Sequence, residues 1–153
     1  MGVGKSQTFD HTLFNKYTTT DYFLSRGAFG NVYGPIQWNR MQVAIKHVTF
    51  AVDDVTEEFK KDIEAKKNIW DSLEHKHLIR IQFVNLSQLP KAMFIVMDFA
   101  AGGSLSATLR SLDFENRLPI SVVTDWSKQI AKGMSYLHER RIVHRDLKSS
   151  NSM

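Results

Sequence analysis

From Tyr22 to Phe50, short apolar runs are broken by glycine, asparagine and arginine, as expected of strands separated by tight turns. Tyr22 to Trp38 predicts two strands around a glycine turn, and Met41 to Phe50 predicts a third, rich in β-branched and apolar side chains. The period then lengthens. Between Asp53 and Leu73 the apolar residues Phe59, Ile63, Ile69, Trp70 and Leu73 are spaced for the buried face of a charged helix. Leu78 to Val84 and Met93 to Phe99 read as short apolar strands joined by a turn at Leu89-Pro90-Lys91. Gly102-Gly103 interrupts the pattern, and Ser104 is placed to cap a short helix ending near Leu112. Ser121 to Arg140 predicts a long helix whose stripe is Val123, Trp126, Ile130, Met134 and Leu137. Residues 1–20 are polar and threonine-rich and read as a flexible lead-in. The chain is therefore expected to be α+β, with five strands and one helix followed by a helical part.

Composition narrows the class only slightly. A chain of 153 residues has room for one ordinary domain, and 42% hydrophobic with 24% charged residues is usual for a globular protein. The net charge of +4 comes from basic residues interspersed with acids, so it does not argue for nucleic acid as a partner. With no cysteine there can be neither disulfides nor thiolate metal sites, which fits a cytoplasmic chain. The histidines outside the His144 loop (His11, His47, His75, His77 and His138) lack metal-ligand spacing and read as surface or packing residues. No apolar stretch is long enough to span a bilayer. Met1-Gly2-Val3-Gly4-Lys5-Ser6 matches the pattern for myristoylation of Gly2, so membrane contact is expected only if that residue is acylated, and a single acyl chain anchors weakly.

Three motifs carry chemistry, and they stand in a fixed order. Ser25-Arg26-Gly27-Ala28-Phe29-Gly30-Asn31-Val32 resembles a glycine-rich phosphate loop. Val43-Ala44-Ile45-Lys46 follows at the expected place. His144-Arg145-Asp146-Leu147-Lys148-Ser149-Ser150-Asn151 matches H-R-D-L-K-x-x-N. Together they resemble the protein kinases. Trp38, the segments Met97–Leu105 and Ala131–His138, and the Lys148-Ser149-Ser150-Asn151 ending further resemble the tyrosine-kinase-like group, above all the mixed-lineage and TGF-beta-activated MAP kinase kinase kinases. The resemblance covers Asp21 to Asn151.

That resemblance implies a small lobe over 21–101, with five antiparallel strands and one helix, and the first helices of an incomplete large lobe over 102–153. It also implies ATP and Mg²⁺ as ligands. Ser25, Gly27 and Gly30 would let backbone N–H groups approach the phosphates, with Phe29 at the tip of the turn and Val32 over the adenine. Ala44 would pack on the adenine, Lys46 would reach the α- and β-phosphates, and Met97 would be the gatekeeper. Backbone groups of Asp98 and Ala100 would bond the adenine edge. Asp146 would orient the substrate hydroxyl, Lys148 would steady the γ-phosphate, and Asn151 would hold a Mg²⁺. His144 and Arg145 would be structural.

The chain departs from the family pattern at three points. Ser25 occupies the first glycine position. The helix glutamate that pairs with the strand lysine in active kinases falls on Lys66, counting back from Leu73-Glu74-His75. A register that used Glu64 instead would put Lys67, Asn68 and Asp71 in the core, which is unfavourable for charged groups. Lys66 is expected to pair with Asp62 on the surface. Finally, the 153 residues contain no D-F-G, activation loop or substrate platform. They are therefore expected to show no kinase activity alone, and the 121–140 stripe is expected to offer a dimer or partner surface. Two readings stay open: a serine/threonine kinase that phosphorylates protein hydroxyls, and a truncated pseudokinase acting as a binding or regulatory module.

Overall fold

The computed structural model describes residues 11–27, 30–50, 56–89, 91–112 and 118–153. The expectations for Gly2, Phe29, Pro90 and the start of the helix at Asp53 fall outside these residues. Five strands form one antiparallel sheet: β1 (Phe23–Gly27), β2 (Gly30–Trp38), β3 (Met41–Thr49), β4 (Ile81–Asn85) and β5 (Ala92–Asp98). Their order across the sheet is β1-β2-β3-β5-β4. β2 and β3 are joined at Asn39 and Arg40, both at positive φ (45° and 65°), the backbone that a two-residue hairpin requires.

Because side chains alternate along each strand, the sheet has two distinct faces. One carries a core of Ile36, Val43, Ile45, Phe94 and Val96, and the other carries Val48, Val84, Met93 and Ile95. The second face is covered by α2 (Glu57–Asp71), through Ile63 with Phe59 and Trp70 beside it. Thr56 caps α2 by accepting a hydrogen bond from the Phe59 N–H at 3.1 Å, and Glu57 and Glu58 lie in the first turn, where the helix dipole favours acids. Ile69 departs from the expected stripe and is 41% exposed. Six residues beyond Ile63 it lies about 120° around the helix, whereas Trp70 returns to the buried side.

The expected lead-in over residues 1–20 is helical in its second half. Helix α1 (His11–Tyr17) sets Phe14 into the first core, fully buried and stacked on Phe94 with ring centroids 4.0 Å apart. Tyr17 meets Tyr22 edge-on at 5.1 Å, and both pack on the same core. A seven-residue helix is too short to persist by itself, so tertiary packing, rather than a periodic apolar stripe, accounts for it.

The described residues fall into two compact units. The first holds α1, α2 and the sheet; the second comprises Glu74–Arg80 and Ala100–Met153. In the second, α3 (Leu105–Ser111) is capped as expected, with Ser104 Oγ accepting from the Ala107 N–H at 3.2 Å. α4 (Ile120–Glu139) packs through its C-terminal half: Leu137 is buried, Trp126, Ile130 and Met134 are partly buried, and Val123 is 41% exposed. A Cβ on Gly133 would lie 2.9 Å from the His77 carbonyl oxygen, so glycine allows the 74–80 segment to lie directly on α4. Gly133→Val is expected to destabilise the chain by about 1–3 kcal/mol through overpacking. A chemical denaturation midpoint equal to wild type would contradict this contact.

Candidate functional site

Strand register places the first group of candidate residues. Ser25 pairs with Val32, Val32 with Lys46, Lys46 with Ile95, and Ile95 with Val84. Directly opposed residues share a face. Ile95 and Val84 belong to the core under α2, so this row runs along the α2 face from that core outward to β1. Ala44 pairs with Met97 and Met97 with Ile81, forming a second row on the same face. Ser25, Val32, Ala44, Lys46 and Met97 thus come together on the face bearing α2. Ala44 is 6% exposed, and Met97 packs on the α2 core. Asp98 follows at the end of β5, where its carboxylate accepts a hydrogen bond from Gln82 Nε2 at 2.6 Å.

The two glycines flank the turn between β1 and β2 and have different roles. Gly30 has φ +136°, and a Cβ there would sit 2.0 Å from the His47 carbonyl oxygen. No side chain fits at this position, next to the residue that follows Lys46. Among the described residues a Cβ on Gly27 would meet only the Gly30 carbonyl oxygen, at 3.6 Å, an ordinary contact. Gly30 is therefore required by the sheet, whereas Gly27 has no such close neighbour among the described residues.

Among the described residues Lys46 makes no ion pair with a carboxylate. Lys66 is exposed, and the expected Asp62–Lys66 pair does not form. On α2 the ion pairs are Lys60 with Glu57 and Lys67 with Asp71, one i,i+3 and the other i,i+4. The half-buried His47, on the opposite face from Lys46, has its pKa held below the usual 6.5 by burial.

The second group lies wholly in the second unit. Ala100 precedes a turn in which the Gly103 N–H donates to the Ala100 carbonyl at 3.0 Å, with Gly103 at φ +70°. α4 ends in a left-handed residue, Arg141 (φ +60°): the Ile142 N–H reaches the Leu137 carbonyl and the Arg141 N–H reaches that of His138. This closure releases the chain into the loop 142–152. Arg145 takes φ +65°, and the Asp146 N–H approaches His144 Nδ1 at 3.3 Å. Asp146 accepts from Lys148 Nζ at 2.9 Å. Asn151 Nδ2 donates to both the Asp146 carboxylate (2.7 Å) and its backbone carbonyl (2.8 Å). The loop is tied down where the Leu105 N–H donates to the Ser152 carbonyl at 2.7 Å.

Lys148 first, and Asn151 second, hold the Asp146 carboxyl below its usual value of 3.8. A depressed carboxylate stabilises the fold above the unfolded value, and that contribution is lost as pH falls through the lowered folded value. The Asp146 midpoint, followed by NMR of the carboxyl carbon, is expected below 3.8 and should rise in Lys148→Met. An unchanged midpoint in that variant would contradict the bond.

These residues suit an anionic ligand with a hard cation. Asn151 turns its amide nitrogen to Asp146, which leaves its side-chain oxygen as a donor of the kind Mg²⁺ prefers. Among the described residues no group of three or more His, Cys, Asp or Glu could hold a metal unaided. A Mg²⁺ there would take its remaining ligands from phosphate and water. Sequence reasoning missed the Asp146–Lys148–Asn151 bonds and the Gly30–His47 approach, because neither side-chain pairing within a loop nor strand register follows from a motif.

The family model for protein tyrosine and serine/threonine kinases matches residues 18–153. The chain is 35% identical over 134 residues to mitogen-activated protein kinase kinase kinase 10 of Xenopus laevis, covering 86% of this chain and 13% of that protein. It is 30% identical over 141 residues to MAP3K epsilon protein kinase 1 of Arabidopsis thaliana, covering 92% of this chain and 10% of the relative. A probable serine/threonine-protein kinase of Dictyostelium discoideum is 35% identical over 130 residues, covering 84% of this chain and 30% of its own length. The chain thus spans a minor part of each of these relatives. Five antiparallel strands with α2 on one face form a kinase small lobe, the helices after them are part of a large lobe, and with the family match over residues 18–153 this chain belongs to the protein tyrosine and serine/threonine kinase family.

Proposed function

We propose that this chain is the nucleotide-binding part of a serine/threonine protein kinase of the MAP kinase kinase kinase kind, which transfers the γ-phosphoryl group of ATP to protein hydroxyls. What carries the reading is the row Ser25–Val32–Lys46 on one sheet face, together with the Asp146–Lys148–Asn151 cluster in the same chain. In phosphoryl transfer the protein mainly positions groups and neutralises charge. Lys46 is the cation for the phosphates, Ala44 and Val32 give the adenine an apolar surface, and Asp98 and Ala100 offer backbone groups to its edge. Asp146, ionised at neutral pH, receives the hydroxyl hydrogen bond, Lys148 is the second cation and Asn151 the metal oxygen. When bound, Mg²⁺ would supply charge neutralisation at the phosphates. Proteins bearing serine or threonine are the substrates, in the cytoplasm.

The 153 residues lack the D-F-G carboxylate and the substrate platform. By themselves they are expected to transfer no phosphate above an Asp146→Asn control in a radiolabel assay. Transfer above that control would contradict this.

A second reading, a binding or regulatory module, draws on Ser25 at the first glycine position and Lys66 at the helix glutamate position. In that reading the partly apolar face of α4 engages a second copy or a kinase partner. The intact mass of the protein from its own cells separates the readings. A mass matching these residues alone favours the module, a larger one favours the kinase, and an added myristoyl mass would give the protein a weak, reversible membrane contact. Among the described residues no helix is long and apolar enough to cross a membrane.

A further inference from the structure

Lys46 is held from behind. Its two chain neighbours, Ile45 and His47, point to the opposite face of the sheet, where α1 lies. Ile45 is fully buried in the same cluster as Phe14. His47 stacks on Phe94, its cross-strand partner, with centroids 4.5 Å apart and planes 9° apart. Phe94 in turn stacks on Phe14 at 4.0 Å. Both residues flanking Lys46 are therefore tied to the core that Phe14 enters, Ile45 as a member of it and His47 through the ring of Phe94. That helix is seven residues long, and Phe14 is its anchor among the residues whose burial is described. The Phe14 carbonyl closes the helix by accepting from both the N–H (2.9 Å) and the hydroxyl (2.8 Å) of Thr18.

We propose that α1 is a strap over the back of the sheet, and that Phe14 is a positioning residue that fixes β3 and, through it, Lys46. The fixing of β3 stands on the contacts above. The consequence for the nucleotide rests on the reading of Lys46 as the phosphate cation. A seven-residue helix whose most buried described side chain is Phe14, with Tyr17 partly buried beside it, is also the kind of element that can leave a fold without unfolding the rest. Removing the anchor should loosen the strand behind the lysine while the α2 face stays packed.

The test compares Phe14→Ala, Phe14→Leu and Val84→Ala in the full chain. Val84 is 2% exposed in the core under α2 and serves as the control for general loss of packing. Hydrogen exchange of the Ile45, Lys46 and His47 amides, His47 ring-proton shifts and the dissociation constant for Mg·ATP are read for each. Phe14→Ala is expected to speed exchange at those three amides by about tenfold or more relative to Val84→Ala, and to shift the His47 ring protons. Phe14→Leu should recover most of the protection. If Phe14→Ala does not fold, Phe14→Leu compared with Val84→Ala carries the same comparison at smaller amplitude. Equal exchange in the Phe14 and Val84 variants, with an unmoved His47 ring, overturns the strap. For the nucleotide, Phe14→Ala is expected to weaken Mg·ATP binding about tenfold, while Val84→Ala stays within about twofold. A wild-type chain with no affinity for Mg·ATP would count against the kinase reading, and the exchange data would still decide the strap.

Discussion

Gly30→Ala should be the most damaging single change in the sheet, destabilising the chain by about 3 kcal/mol or more. Two effects add. At φ +136° a residue with a side chain is held in a region essentially reserved for glycine, which costs about 1–3 kcal/mol. The new methyl would also overlap the His47 carbonyl oxygen, 2.0 Å away, and that oxygen belongs to backbone that cannot swing aside as a side-chain tip would. Relief requires β2 to separate from β3 near the Asn31–His47 and Val32–Lys46 pairs. The variant should therefore lose thermal stability and amide protection at these pairs together. Gly27→Ala is the matched control: among the described residues its methyl would meet nothing closer than 3.6 Å, so stability should change by less than about 1 kcal/mol. If both variants were equally stable, the close approach between β2 and β3 would be wrong.

Asp146→Asn should have the largest effect on activity. The carboxylate is ionised at neutral pH and is held between a lysine and an asparagine amide in a tied-down loop. The amide keeps the shape but loses the negative charge that would orient a hydroxyl proton. In the active protein, phosphate transfer should fall by about 10²–10⁴-fold, the usual contribution of a positioned general base. Stability should change little, because Asp146 is solvent-exposed and its bonds are screened. Loss of activity together with loss of folding would instead mark Asp146 as structural.

Much of this was legible in the sequence because local pattern and chemistry agreed. The alternation from Tyr22 to Phe50 gave three strands, and Ser104 marked the start of α3 through its capping hydroxyl. The glycine loop, the strand lysine and the H-R-D loop named the candidate residues before any geometry was known. Three features were not legible. Helix α1 is only seven residues long, too short for an apolar period to stand out, and its anchor Phe14 finds partners in strands far along the chain. Gly30 and Gly27 look alike in sequence, and only the register of β2 on β3 separates them. The end of α4 uses Arg141 in a left-handed conformation where glycine would have been the signal, because two backbone hydrogen bonds hold the residue in place.

The most direct test of the central claim is transfer of radiolabel from γ-labelled ATP by the protein captured from the cells that make it. Wild type, Lys46→Met and Asp146→Asn are compared on a generic protein substrate with Mg²⁺ present. The account predicts label on serine or threonine with wild type, and a loss of about 10²-fold or more in each variant. Wild type that transfers no label, or variants that transfer as much as wild type, would contradict it.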